Sequence, residues 1–142
     1  MLVFLDFDGV LRRLTSPSSA FESDCLEHFE GTVRQYDEVE IVISSTWRLA
    51  MSVEEIRRRF SPDIAARIVG VTPYVLNYEP HVRYREIGAY LMRNGQGPWV
   101  AIDDDAEQYP ASAPTLLVDP AKGFDAECSM RLVEHFKAFV QI

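Results

Sequence analysis

Val3-Phe4-Leu5-Asp6-Phe7-Asp8-Gly9-Val10-Leu11 decides how this chain is read. An apolar run stops at two carboxylates one residue apart, and a glycine follows. Leu2 to Leu5 show no polar alternation, which predicts a strand buried on both faces, as in a parallel sheet. Its carboxyl end delivers Asp6. Gly9 lets the chain turn away, because a residue without Cβ enters backbone regions that others resist. Asp6 and Asp8 then face the crevice beyond the sheet edge. Their mutual repulsion is most simply relieved by a divalent cation. An acidic turn without metal is the plain alternative.

Working outward, the same figure recurs. In Glu40-Ile41-Val42-Ile43-Ser44-Ser45-Thr46-Trp47-Arg48 a β-branched run ends in hydroxyls. A hydroxyl at a strand's carboxyl end can bond a phosphoryl oxygen, so Ser44 and its neighbour Ser45 are candidates for substrate contact. A turn or cap serine is the alternative. Arg48 is a candidate for phosphate contact, with a surface salt bridge as its rival. In Pro98-Trp99-Val100-Ala101-Ile102-Asp103-Asp104-Asp105 a third apolar run ends in acids.

Helical signals fill the gaps. Leu26, Phe29, Val33 and Tyr36 recur at helical spacing, predicting a helix from Ser23 or Asp24 to about Asp37. Ser52-Val53-Glu54-Glu55 is a capping box opening a short helix to Phe60, and Ser61-Pro62 starts another. The run Arg57-Arg58-Arg59 reads as a solvated face. Residues 68–72 predict a third strand, and 73–80 a loop holding Tyr74, Asn77, Tyr78 and Glu79. A helix over 81–94 stops at Gly95. Residues 115–118 form a last strand. Asp125 caps a final helix whose Leu132, Val133, Phe136, Phe139 and Val140 share a face. Strands alternating with helices imply a parallel α/β sheet covered on both sides, with right-handed crossovers.

Composition sets bounds. A chain of 142 residues suits one domain, 1–142, and 47% hydrophobic content supports an ordinary core. The net charge of −8 argues against strong general nucleic-acid binding. No apolar run approaches the ~18 residues that span a bilayer. Met1 leads straight into the first strand, with no secretory leader, so a cytoplasmic location is expected. Cys25 and Cys128 have no metal-like spacing and read as reduced.

Asp6-Phe7-Asp8-Gly9-Val10 resembles the first motif of the haloacid dehalogenase-like (HAD) phosphohydrolases. Ser44 matches the second motif of that family, and Asp103-Asp104 the fourth. The resemblance implies a Rossmann-like sandwich with strand order 3-2-1-4-5. It implies Asp6 as nucleophile and Asp8 as general acid/base. It also implies Mg²⁺ held by Asp6, the backbone carbonyl of Asp8 and Asp103, with Asp104 supporting that shell. The third motif is a lysine or arginine at the start of the 81–94 helix. No lysine precedes Lys122, so an arginine must serve, Arg83 first and Arg85 as fallback. A solvated helix charge is the alternative for either.

Insertions large enough for a cap domain are missing, so the resemblance is to capless members with an open site. The loop over 12–22 is read as a flap over the site where Arg12 and Arg13 could meet an anionic substrate, with a solvated loop carrying two ordinary surface arginines as the equal alternative. Trp47-Arg48, Arg85-Glu86-Ile87 and the Val118-Asp119-Pro120…Gly123-Phe124 segment are similar to HAD domains grouped with RNA-repair proteins. The implied activity is a Mg²⁺-dependent phosphomonoesterase working through an aspartyl-phosphate, on a small molecule or a nucleotide or polynucleotide end. Two alternatives stand beside it. One is a receiver-like phospho-accepting regulatory domain, although Val71-Thr72-Pro73 offers no acid where receivers place theirs. The other is a non-catalytic interaction domain on the same scaffold. Oligomeric state is not legible.

Overall fold

The computed structural model describes residues 1–76 and 79–140, with side chains through 139. Among these residues five strands form one parallel sheet: β1 (Leu2–Leu5), β2 (Glu40–Ile43), β3 (Ile68–Val71), β4 (Trp99–Asp103) and β5 (Thr115–Leu117). Their spatial order is β3-β2-β1-β4-β5, the order expected. Around the sheet lie α1 (Ser23–Val33), α2 (Val53–Arg57), α3 (Pro62–Ala65), α4 (Val82–Asn94) and α5 (Ala126–Val140).

β1 is central, and its register positions the site. Leu5 pairs with Ile43 on one side and Ile102 on the other. The next residue along each strand is Asp6, Ser44 or Asp103. Ser44 N–H donates to Leu5 O at 3.0 Å and Asp6 N–H to Ile102 O at 3.1 Å, so the three strand ends stay level.

Side chains alternate across the sheet with the two-residue period of a strand. Val3, Leu5, Ile41, Ile43, Val100 and Ile102 face the larger core, with residues of α1, α2, α3 and α5. Phe4, Val42 and Ala101 face the other way, against Ile87, Tyr90 and Leu91 of α4 and against Tyr109. Phe4 is fully buried and meets the rings of Tyr90 and Trp99 edge-on, with centroids 5.7 and 5.6 Å away. Edge-to-face contact adds to the burial energy of such rings. Cys25 and Cys128 are free and buried. No helix of the described residues is long and apolar enough to cross a membrane.

Several expected boundaries move, for local reasons. α1 ends at Val33, not near Asp37, because Gln35 and Tyr36 N–H donate to Thr32 and Val33 O in tighter turns. Arg67 Nη1 then takes the carbonyls of Val33 and Tyr36 at 2.8 and 2.7 Å, satisfying groups that another helical turn would have paired. The Ser52 capping box forms, but α2 stops at Arg57. Ser61 precedes α3 without capping it: its N–H and hydroxyl both donate to Glu30, at 2.8 and 2.7 Å. Asp125 Oδ1 accepts from Cys128 N–H at 3.0 Å, the cap expected for α5. Asn77 and Tyr78 of the 73–80 loop, and the side chain of Val140, lie outside the described residues.

Candidate active site

Three strand ends and one helix start converge on a group of carboxylates. Asp6 follows β1, Asp103 ends β4, and Asp104 follows it; one oxygen of each lies within 4.8 Å of the others. Asp6 and Asp103 are buried, at 5% and 1% exposure, and Asp104 is half-buried. Burial, then the Asp103 charge, pushes the Asp6 carboxyl well above the usual range, against the opposing pull of Arg83. Burial and Asp103 raise Asp104 to about 6. Acids crowded this way are a poor arrangement without a cation. All three offer hard oxygen ligands, the donor set that suits Mg²⁺. The residues therefore fit the metal.

Gly9 makes room for this arrangement. It has φ +82°, and a Cβ there would come within 2.6 Å of Asp104 Cγ. The glycine is needed both for the turn and for the close approach of the Asp104 carboxylate.

Asp103 is held by its own neighbours. Its Oδ1 accepts from Asp105 N–H at 3.1 Å and its Oδ2 from the Tyr109 hydroxyl at 2.9 Å. Burial and Asp103 drive the Tyr109 hydroxyl pKa upward, so the phenol stays a proton donor. Asp105 caps a 3-10 turn at Ala106–Gln108. Gln108 Oε1 in turn accepts Arg83 N–H at 3.2 Å, tying the start of α4 to the loop that follows β4. His81, just before α4, sits in the left-handed region at φ 61° and ψ 50°.

Arg83, on the first turn of α4, reaches the acids. Its Nε lies 3.9 Å from Asp103 Oδ2 and its Nη1 lies 3.6 Å from Glu86 Oε1. These are ion pairs too long for hydrogen bonds, so the guanidinium keeps donors for another anion. It lines a cavity of about 220 Å³ with Thr46, Tyr74 and Gln108. Arg85 is not brought there; it is 39% exposed and lies near Leu76 O and Glu79.

The two serines separate cleanly. Ser44 Oγ is buried and has no hydrogen-bond partner among the described residues, unusual for an interior hydroxyl. Ser45 Oγ accepts from Trp47 N–H at 3.2 Å and caps the 3-10 turn Thr46–Leu49. That bond leaves its O–H proton uncommitted.

Arg48 borders the same cavity as Arg83, but its guanidinium turns inward, onto the scaffold. Nε donates to Thr72 O, Nη1 to Ser44 O and Ser45 O, and Nη2 to Pro73 O and Glu86 Oε2. That exhausts its five N–H donors. Arg48 fastens the ends of β2 and β3 to α4.

Asp8 stands apart from the acid group. Arg12 Nη1 donates to its Oδ1 and Trp47 Nε1 to its Oδ2, both at 3.1 Å. The loop over 12–22 is stitched down at several points. Arg12 Nε bonds Ser18 O, Arg13 pairs with Glu22 and Asp24, Leu14 N–H bonds Pro120 O, and Glu22 N–H bonds Leu11 O. Tyr109 and the two donors on Asp8 were missed by sequence reasoning. Trp47, directly after the hydroxyl-rich strand end, carried the one available signal.

A family model described as the HAD domain in Swiss Army Knife RNA repair proteins matches residues 2–128. No curated protein and no solved structure matches the chain.

Proposed function

The chain belongs to the HAD domains found in Swiss Army Knife RNA repair proteins, and from that footing we propose that it is a Mg²⁺-dependent phosphomonoesterase. The observation that carries the reading is the meeting of Asp6, Asp103 and Asp104 beside Arg83, at the strand ends where the unpartnered Ser44 hydroxyl also lies. Ligands of open α/β sheets bind at that edge, where strand order reverses between β1 and β4.

Asp6, the Asp8 carbonyl and Asp103 would hold Mg²⁺, with Asp104 supporting them. Bound there, the ion would favour the ionised acids and offset phosphate charge. An Asp6 carboxylate oxygen attacks phosphorus in line, and the bond from phosphorus to the leaving oxygen breaks with its electron pair. Asp8 as an acid gives its proton to that oxygen. The aspartyl-phosphate is then opened by a water whose proton returns to Asp8, releasing inorganic phosphate and regenerating Asp6. Ser44 and Arg83 stabilise the phosphoryl oxygens as charge builds.

We further read residues 1–142 as a single capless domain. Between β1 and β2 the chain supplies one loop and α1; between β2 and β4 it supplies short helices, β3 and α4. An open edge suits a bulky ester, so a nucleotide or polynucleotide end is the proposed substrate. The net charge of −8 fits recognition of an end better than tracking along a polyanion. A receiver-like role is disfavoured by topology, since receivers follow the order 2-1-3-4-5.

The test is hydrolysis of p-nitrophenyl phosphate with and without Mg²⁺, then of 3′- and 5′-phosphorylated oligonucleotides, by wild type and Asp6→Asn. Metal-dependent turnover lost in Asp6→Asn supports the reading. Turnover retained in that variant removes the mechanism.

A further inference from the structure

Asp8 is held from both sides by two residues outside the acid group. Trp47 Nε1–H donates to Oδ2 and Arg12 Nη1–H to Oδ1, each at 3.1 Å. The Asp8 side chain is 41% exposed, so solvent could satisfy it without either donor. The two donors come from different places: Arg12 from the turn after β1, Trp47 from the 3-10 turn after β2.

Neither donor is free to drift. Trp47 stacks on Phe21 at 5.4 Å and 23°, meets Phe7 edge-on at 5.2 Å, and carries the Arg59 guanidinium 5.5 Å above its ring. Phe7 is fully buried, between Asp6 and Asp8 in sequence. Arg12 is braced by its own Nε, which donates to Ser18 O at 2.6 Å. A carboxylate attached by one rotatable arm would otherwise sample several staggered rotamers, and only some can reach a leaving oxygen.

We infer that Trp47 and Arg12 are positioning residues that hold the Asp8 carboxyl in the orientation from which it delivers a proton to the leaving group. The inference rests on the phosphatase reading above. In the phosphorylation step the Asp6–phosphorus bond forms and the phosphorus–leaving oxygen bond breaks. The leaving oxygen keeps the pair and takes the Asp8 proton. An ester whose leaving group is already a stable anion needs that proton little; an alkyl ester needs it greatly.

The measurement is kcat/KM, which reports phosphorylation alone, on 2,4-dinitrophenyl phosphate and on glycerol phosphate. Trp47→Phe removes the N–H and keeps an aromatic ring; Arg12→Gln removes the cation; Arg12→Lys restores a donor. Because a placed general acid is worth about 10²- to 10⁴-fold, Trp47→Phe and Arg12→Gln should each lose about tenfold more on the alkyl ester than on the dinitrophenyl ester. Arg12→Lys should recover part of that gap. Thermal unfolding confirms that each variant is folded, and Arg12→Gln decides the matter should Trp47→Phe not fold. Equal losses on both esters, no loss, or a larger loss on the dinitrophenyl ester overturn the positioning role. Those outcomes leave the phosphatase reading intact as long as wild type is active and Asp6→Asn is not. A wild type inactive on both esters overturns that reading, and the positioning role falls with it.

Discussion

Arg48 and Glu86 form an ion pair inside the protein, 2.7 Å long, with side chains only 1% and 2% exposed. Burial pulls the Arg48 guanidinium downward in pKa and the Glu86 charge opposes it. Removing one partner strands the other charge in a dry site, which typically costs 3–5 kcal/mol. Arg48→Met is accordingly expected to lose about 3–5 kcal/mol in urea unfolding. The double variant Arg48→Met, Glu86→Leu should recover only part of it, because the stranded Glu86 charge is gone but the carbonyls of Ser44, Ser45, Thr72 and Pro73 still lack the Arg48 donors. A single variant as stable as wild type contradicts the assignment of Arg48 to the scaffold.

Asp6→Asn separates chemistry from folding. Loss of the attacking oxyanion should lower turnover by at least about a thousandfold. Without metal, however, the variant should unfold at a higher temperature than wild type at neutral pH. The wild-type carboxyl is disfavoured by burial and by Asp103, and the amide relieves that penalty. Calorimetry on metal-free protein, beside an activity assay, checks both halves.

Metal binding is testable apart from catalysis. A ligand that binds the folded chain at a hundred times its dissociation constant stabilises it by about 2.7 kcal/mol. Mg²⁺ should therefore raise the unfolding midpoint of wild type in a dose-dependent way. Asp103→Asn removes a ligand from the group of Asp6, Asp103 and Asp104, so its midpoint should hardly respond. An equal response in both proteins would place the ion elsewhere.

At Gly9 two costs coincide. Alanine would be held at φ +82° and would press on Asp104. A left-handed non-glycine residue costs on the order of 1–3 kcal/mol before any collision is counted. Gly9→Ala should show at least that loss in denaturant unfolding. It should also weaken the Mg²⁺-induced midpoint shift, since Asp104 must move.

The surface pair of Arg13 and Asp24 carries a pH signature. The Arg13 hydrogen bond lowers Asp24 to about 2, below its ordinary 3.8. A depressed carboxyl contributes stability that is present above its unfolded value and is lost as the pH falls through the folded one. The window is thus about pH 4 down to about pH 2. Asp24 is 58% exposed, so the pair is worth at most about 1 kcal/mol after solvent screening. Asp24→Asn should flatten the stability profile across that window, falling below wild type by up to about 1 kcal/mol at pH 6 and converging with it near pH 2, as urea midpoints from pH 2 to 6 will show.

The strands and their carboxyl ends were legible because apolar runs that stop at polar residues say where strands finish, and strand order follows from few possible crossovers, whereas the ends of α1 and α2 were not. Asp6, Asp103 and Ser44 share a row for that reason. The direction of a long side chain was not legible. Arg48 follows a hydroxyl-rich strand end, where a phosphate contact looks natural. It turns inward because Thr72 and Pro73, 24 and 25 residues away, and Glu86, 38 away, supply acceptors that local sequence does not reveal. Tyr109 on Asp103 escaped notice because a tyrosine six residues past a strand gives no periodic signal of its aim.

One face of the sheet is covered by α4 alone among the helices of the described residues, and α4 also presents Arg83. Its hold on the sheet comes from Ile87, Tyr90 and Leu91 and from the buried Arg48–Glu86 pair. Cutting the Arg48–Glu86 pair leaves the helix chiefly its apolar contacts, and α4 then becomes the natural first unit to detach. In Arg48→Met, amide exchange should therefore find the amides of α4 less protected than in wild type, with those of β1 little changed.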